Sequence, residues 1–231
     1  MGNWIAGIDI GGTNTVIGIV GQKGIIAYRD KLSTTSFDTP EDLVKGICDA
    51  IRKGEQELDI TVGAIGVGAP SGNFYHGTIE HAPNLKWKGV IPMASLFLSE
   101  FGCRTVLTND ANAAAMGEMK YGLARNMRDF LLITLGTGVG SGVVSNGQLV
   151  YGHLGSAGEL GHVIIERNGR LCGCGRKGCM ETYCSATGMV LTYNELSGNK
   201  EKITAADISE LARKGNTYAI ETFRKTGEWL G

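Results

Sequence analysis

A two-lobed α/β fold is what the sequence predicts, and two observations carry it. Runs of β-branched residues separated by glycine turns occur at 4–31 and again at 130–151, and helical periodicity follows each set. The turn Ile10-Gly11-Gly12-Thr13 also has a counterpart in Leu135-Gly136-Thr137-Gly138. Each is followed by a glycine and a short β-branched run, Gly18-Ile19-Val20 and Gly142-Val143-Val144. This weak internal repeat divides the chain into an N-terminal lobe, 1–115, and a C-terminal lobe, 116–231, each presenting a hairpin turn to one shared cleft.

The elements follow in order. Trp4–Ile10, Thr15–Val20 and Ile25–Lys31 read as an antiparallel meander. Thr39 precedes Pro40 and two acidic residues, which is the pattern of an N-cap with proline at the first helical position. Leu43, Val44, Ile47, Ala50, Ile51 and Leu58 then recur at helical spacing. Ala64–Gly68 is a short buried strand, Pro92–Phe101 a helix, Thr105–Thr108 a strand, and Ala113–Tyr121 a helix. The second half restarts with strands at 130–135, 140–144 and 148–151. Helices are expected near 186–196, 204–214 and 216–230.

Composition excludes several function classes. The 231 residues are 42% hydrophobic and 19% charged, which suits a globular core. A net charge of −1 provides no electrostatic pull toward nucleic acid or an acidic membrane. Met1-Gly2-Asn3-Trp4 has no basic segment before a carboxylate at Asp9, so no signal peptide is expected, and Ala6 stands where myristoylation wants Ser or Thr. Phe130–Gly158 lacks charge, but its many glycines and polar residues make it a poor membrane span. Cysteine usage fits a reducing cytoplasm.

Glycine is the outlier, with 36 residues, roughly twice the usual 7%. The glycines cluster at turns where the backbone must approach something closely, and phosphate is the usual partner. In Asp9-Ile10-Gly11-Gly12-Thr13-Asn14 a strand ends, two glycines bare backbone N–H groups, and Thr13 adds a hydroxyl. That combination suits a phosphate nest, with Asp9 placed for Mg²⁺; a plain hairpin is the alternative. Gly136-Thr137-Gly138-Val139-Gly140 offers a second such turn. Two facing hairpins of this kind are the signature of the fold shared by actin, hexokinase and heat-shock ATPases. Neither Walker A nor G-x-G-x-x-G is present.

Asn109-Asp110-Ala111-Asn112 puts a carboxylate where a strand meets a helix. Such a group can accept a hydroxyl proton during phosphoryl transfer, or it can serve as an ordinary N-cap. His162 and Cys172, Cys174 and Cys179 form an H-x9-C-x-C-x4-C pattern, the ligand set of a closed Cys₃His zinc site. Four filled positions make that metal structural. Redox or disulfide use of these thiols is the alternative; Cys184 could compete as a ligand but lies beyond the cluster, and Cys48 and Cys103 read as core thiols. Glu159 and Glu181 flank the metal pattern. With His162 they form a polyol-binding arrangement, or else they support the zinc ligands and solvate the loop.

Together these segments resemble the ROK family of sugar kinases and repressors, in its zinc-containing, glucokinase-like form. The resemblance lies in Asp9-Ile10-Gly11-Gly12-Thr13, Ala82-Pro83-Asn84-Leu85-Lys86-Trp87, Asn109-Asp110-Ala111-Asn112-Ala113-Ala114, Glu159-Leu160-Gly161-His162 and Cys172 through Glu181. It implies ATP-dependent phosphorylation of a hexose, glucose first, with Asp110 as general base toward O6. Asn84, Asn109, Glu159, His162 and Glu181 would hold the sugar. Gly11, Gly12, Thr13, Gly136, Thr137 and Gly138 would hold phosphates, with Asp9 positioning Mg²⁺. Zinc would sit on His162, Cys172, Cys174 and Cys179. Fructose, mannose, allose or N-acetylmannosamine are other substrates in the class, and a sugar-binding regulator without turnover is a further reading. Trp4–Ile10 starts too early for an N-terminal helix-turn-helix, which counts against DNA binding. The resemblance also implies a homodimer. Family members continue past Gly231 to an adenosine loop and a closing helix, so the second lobe is expected to be incomplete.

Overall fold

The computed structural model describes residues 4–231. The signal-peptide and Gly2 readings involve Met1–Asn3, which lie outside the described residues. Among the described residues two compact units are present, one of 4–130 with 142–157 and one of 131–141 with 158–231.

In the first unit, β1 (Trp4–Ile10), β2 (Asn14–Gly21) and β3 (Ile26–Ser33) form the expected antiparallel meander. α1 (Pro40–Leu58) follows. Its N-cap Thr39 accepts from the Asp42 amide at 3.1 Å, the cap that the Thr-Pro pair predicts. β4 (Val62–Ala69) then pairs parallel with β1, and β8 (Arg104–Asn109) pairs parallel with β4, giving the sheet order β3-β2-β1-β4-β8. Between them lie β5 (Gly72–Asn73), β6 (Thr78–Glu80) and β7 (Val90–Ile91), a small sheet absent from the sequence reading, and α2 (Met93–Phe101). These strands of two or three residues are too short to carry a period of two.

Strand alternation decides which side chains reach the core. Ala6, Ile8 and Ile10 of β1 and Ile17 and Ile19 of β2 are buried with Leu43, Val44, Ile47, Cys48 and Ile51 of α1. Met93 and Phe97 of α2 extend the same cluster. The opposite parity puts Ile5, Gly7 and Asp9 on the other face. α3 (Asp110–Tyr121) starts directly after β8, three residues earlier than the sequence suggests, and packs on β4 and β8. Asn109 is its N-cap, accepting from Ala111 N at 2.8 Å; Asp110 is the first helical residue rather than the cap. β11 (Gln148–Leu149) pairs with the end of β10 (Val139–Ser145) in this unit.

In the second unit, β9 (Phe130–Leu135) and the start of β10 flank the second glycine turn. α4 (Glu181–Cys184), α5 (Ala186–Ser197), α6 (Ala205–Arg213) and α7 (Thr217–Leu230) follow. α6 carries a full capping box between Thr204 and Asp207. Val139, Tyr183 and Cys184 form one small core with Trp229 and Leu230 against it; Tyr193, Ile208 and Ala219 form another. Among the described residues no helix is long and apolar enough to cross a membrane.

Candidate functional site

The first turn is built for close approach. Gly11 N donates to Asn14 O at 2.9 Å, closing the hairpin, and Thr34 N donates to Thr13 O at 2.9 Å. A Cβ on Gly12 would stand 2.5 Å from the Asn84 carbonyl oxygen, so the turn rests directly on the 82–87 loop. That loop is pinned by the buried Ala82, Leu85 and Trp87, and the Trp87 indole donates to Asp38 O at 2.8 Å. Pinning these three leaves Asn84 exposed beside the turn.

Asp9 is the penultimate residue of β1, on the face away from the α1 core and opposite Gly68 of β4. A Cβ on Gly68 would lie 3.5 Å from Asp110 Cα, so a glycine separates the two carboxylate-bearing residues. Asp9 lines an open groove of about 530 Å³ with Gly7, Gly18, Gly66, Thr108 and Met116. Its pKa is raised, first by desolvation against the sheet and then by the Asp110 charge. Asp110 is exposed, and its Oδ1 accepts from Ala111 N at 2.8 Å. The structure therefore brings Asp9, Asn109 and Asp110 to one end of the sheet, with Gly12, Thr13 and Asn84 meeting at the first turn.

The second unit holds the metal-ligand pattern. His162 ends a short 3₁₀ turn, Leu160–His162. Cys172 N donates to Arg176 O at 2.8 Å, and Leu171 bridges Lys177, so Cys172 and Cys174 sit in a tight hairpin; Cys179 bridges Ile164. The four ligand atoms all lie within 4.8 Å of one another. Tetrahedral zinc with ordinary bond lengths needs ligand–ligand edges of about 3.6–3.8 Å. Cys172 Sγ to His162 Nδ1 is 3.6 Å and Cys174 Sγ to Cys179 Sγ is 3.7 Å. The donor set thus fits a closed Cys₃His site. Backbone and side-chain donors of Arg176 lower the Cys174 thiol to about 6, whereas burial pushes Cys172 up to about 12. A bound cation would ionise the buried thiol. Cys184 stands apart, buried with its Sγ toward Thr226 O. Cys48 is buried in the first-unit core and Cys103 packs at its edge.

Glu181 starts α4. Its Oε2 accepts from Val139 N at 3.1 Å and its Oε1 is 3.8 Å from Cys172 Sγ. The turn itself is held by Ala186 N, donating to Gly136 O at 2.8 Å, and by Thr187 Oγ1, donating to Thr137 O at 3.1 Å. Glu159 directly precedes the 3₁₀ turn that carries His162.

One residue of this unit escapes sequence reasoning. Arg170, inside the metal loop, forks onto Glu195 at 3.1 and 2.6 Å and donates to Thr182 O, Gly188 O and Thr192 Oγ1, with its guanidinium 4.6 Å from the Tyr183 ring centre. No spacing marks it out from a surface arginine.

The ROK family model matches residues 5–231. The chain belongs to the ROK family. The glucokinase of Streptomyces coelicolor is 34% identical over 97% of this chain and 74% of the relative. The N-acetylmannosamine kinase of Citrobacter koseri is 32% identical over 96% of this chain and 74% of that relative. Among solved structures, a ROK family glucokinase from Streptomyces griseus in complex with glucose and AMPPNP matches with a TM-score of 0.80 and 33% identity, over 98% of this chain and 76% of that one. The α/β, hexokinase-like fold expected from the sequence is that of these ROK kinases.

Proposed function

We propose that the chain is an ATP-dependent hexose kinase acting first on glucose, converting it to glucose 6-phosphate. The observation that carries this reading is the match, over nearly the whole chain, to a ROK glucokinase holding glucose and an ATP analogue. The placing of Asp9 and Asp110 together at the sheet end supports it, because neighbouring carboxylates, with the proton affinity of Asp9 raised, are the equipment for cation and proton handling.

In this reading O6 of the sugar attacks the γ-phosphorus, the bond from that phosphorus to the β–γ bridging oxygen breaks, and ADP leaves. Asp110 accepts the O6 proton as the new P–O bond forms. Such base assistance is worth about 10²–10⁴ in rate. Gly11, Gly12 and Thr13, with Gly136, Thr137 and Gly138, hold phosphate oxygens through backbone and hydroxyl donors. Asp9 would hold Mg²⁺ through its hydration shell, and the ion would supply neutralisation of phosphate charge. Asn84, Asn109, Glu159, His162 and Glu181 hold the sugar. The His162, Cys172, Cys174 and Cys179 set would hold zinc as a structural crosslink, and a ring bound through Nδ1 keeps Nε2 for a hydroxyl. A homodimer in a reducing cytoplasm, which keeps the cluster thiols available, completes the proposal.

A coupled assay of ADP release across glucose, fructose, mannose, allose and N-acetylmannosamine tests it. The expected result is turnover with glucose at the highest kcat/KM. Turnover with another hexose alone would move the substrate assignment. Sugar binding without turnover would place the chain with sugar-binding regulators.

A further inference from the structure

We propose that Glu181 is a positioning residue for the second glycine turn, transmitting order from the His162, Cys172, Cys174 and Cys179 cluster to the Val139 amide. Its nucleotide consequence rests on the kinase reading above; the brace itself does not.

Glu181 lies two residues past Cys179 and leads α4, so its backbone is set by the last metal ligand. Its carboxylate faces the cluster on one side, with Oε1 3.8 Å from Cys172 Sγ, and the turn on the other, where Oε2 accepts from Val139 N at 3.1 Å. A Cβ on Gly138 would run into that same Oε2, so the carboxylate lies close against the turn. The other arm of the cluster grips the same strand. Ser141 Oγ donates to Gly158 O and accepts from Leu160 N at 3.2 Å, and Gly161 packs against Val139 O. That segment continues into His162. Val139–Ser141 is therefore clamped from both ends of the ligand set, through Glu181 and through Ser141.

A negative charge beside a phosphate-binding turn is unfavourable on electrostatic grounds alone. Its presence is accounted for by the donor it captures. Holding Val139 N fixes the exit of the turn, so Gly136–Gly138 meet a phosphate already in one conformation instead of being ordered by it.

The test is amide hydrogen exchange at Val139 in the metal-loaded chain, together with the dissociation constant of a non-hydrolysable ATP analogue. Loss of one such hydrogen bond in Glu181→Ala should speed Val139 exchange about tenfold and weaken the analogue by a similar factor, with amides of the first-unit sheet unchanged. Glu181→Gln retains an acceptor oxygen and should remain within about threefold of wild type on both readouts. Chelation should speed Val139 exchange in wild type and do so less in Glu181→Ala. Unchanged Val139 exchange in Glu181→Ala would overturn the proposal. So would loss of sugar affinity in both variants with analogue affinity intact, which would make Glu181 a sugar ligand only. A wild-type chain that binds no analogue would count against the kinase reading, and Val139 exchange would still decide the brace.

Discussion

Asp110 raises the pKa of Asp9 across Gly68, although the two residues belong to different elements and lie 101 positions apart in sequence. Desolvation of Asp9 against the sheet is the larger cause, and the charge of Asp110 adds to it.

The sign of this shift gives a pH prediction. A carboxyl whose folded pKa is raised contributes stability below its unfolded value, about 3.9, and loses it as pH rises through the folded pKa. At pH 7 the ionised Asp9 therefore opposes folding in the ligand-free protein. Asp9→Asn should raise the melting temperature at pH 7, and less at pH 4, while weakening Mg²⁺-dependent nucleotide binding. Thermal scans at both pH values check this; a lower melting temperature at pH 7 would show that ionised Asp9 does not oppose folding.

Cys174→Ser should abolish metal binding. The proposed zinc site needs all four ligands, and a hydroxyl is a poor substitute for a thiolate. Mass spectrometry of native wild type should find one zinc per chain and of the variant none, with earlier melting of the second unit. Full zinc content in the variant would exclude Cys174 as a ligand.

Arg170→Ala should destabilise the second unit by about 2 kcal/mol, since it removes donors to two carbonyl oxygens, one hydroxyl and a carboxylate. Arg170→Lys should recover less than half, because an ammonium cannot reproduce the fork onto Glu195. Urea unfolding measures both; full recovery by Lys would show that charge alone matters.

Gly12→Ala should disturb two sites at once. The added carbon meets a backbone carbonyl, that of Asn84, which has no rotamer by which to yield. A cost of about 1–3 kcal/mol is expected, together with raised KM for both nucleotide and sugar. Kinetics with only one KM altered would contradict the contact between the turn and the 82–87 loop.

Local signals made much of this legible in the sequence. Thr39 and Pro40 announce α1, the alternation in Trp4–Ile10 announces β1, and the Cys and His spacing announces a cluster whose atoms converge. Hidden features were those made by tertiary contact. Asp110 resembles an N-cap, yet Asn109 takes that place because β8 runs one residue further and α3 begins at Asp110. The β5-β6-β7 sheet is too short for periodicity. Glu181 on Val139, Gly12 on Asn84, and the Arg170 network join residues far apart in the chain, and no spacing rule encodes them.

The most direct test is phosphoryl transfer from ATP to glucose by wild type and by Asp110→Asn, with glucose binding measured alongside. Turnover is expected in wild type, with a fall of about 10²-fold or more in the variant and glucose affinity within a few-fold of wild type. Wild-type-like turnover in Asp110→Asn would contradict the general-base role of Asp110.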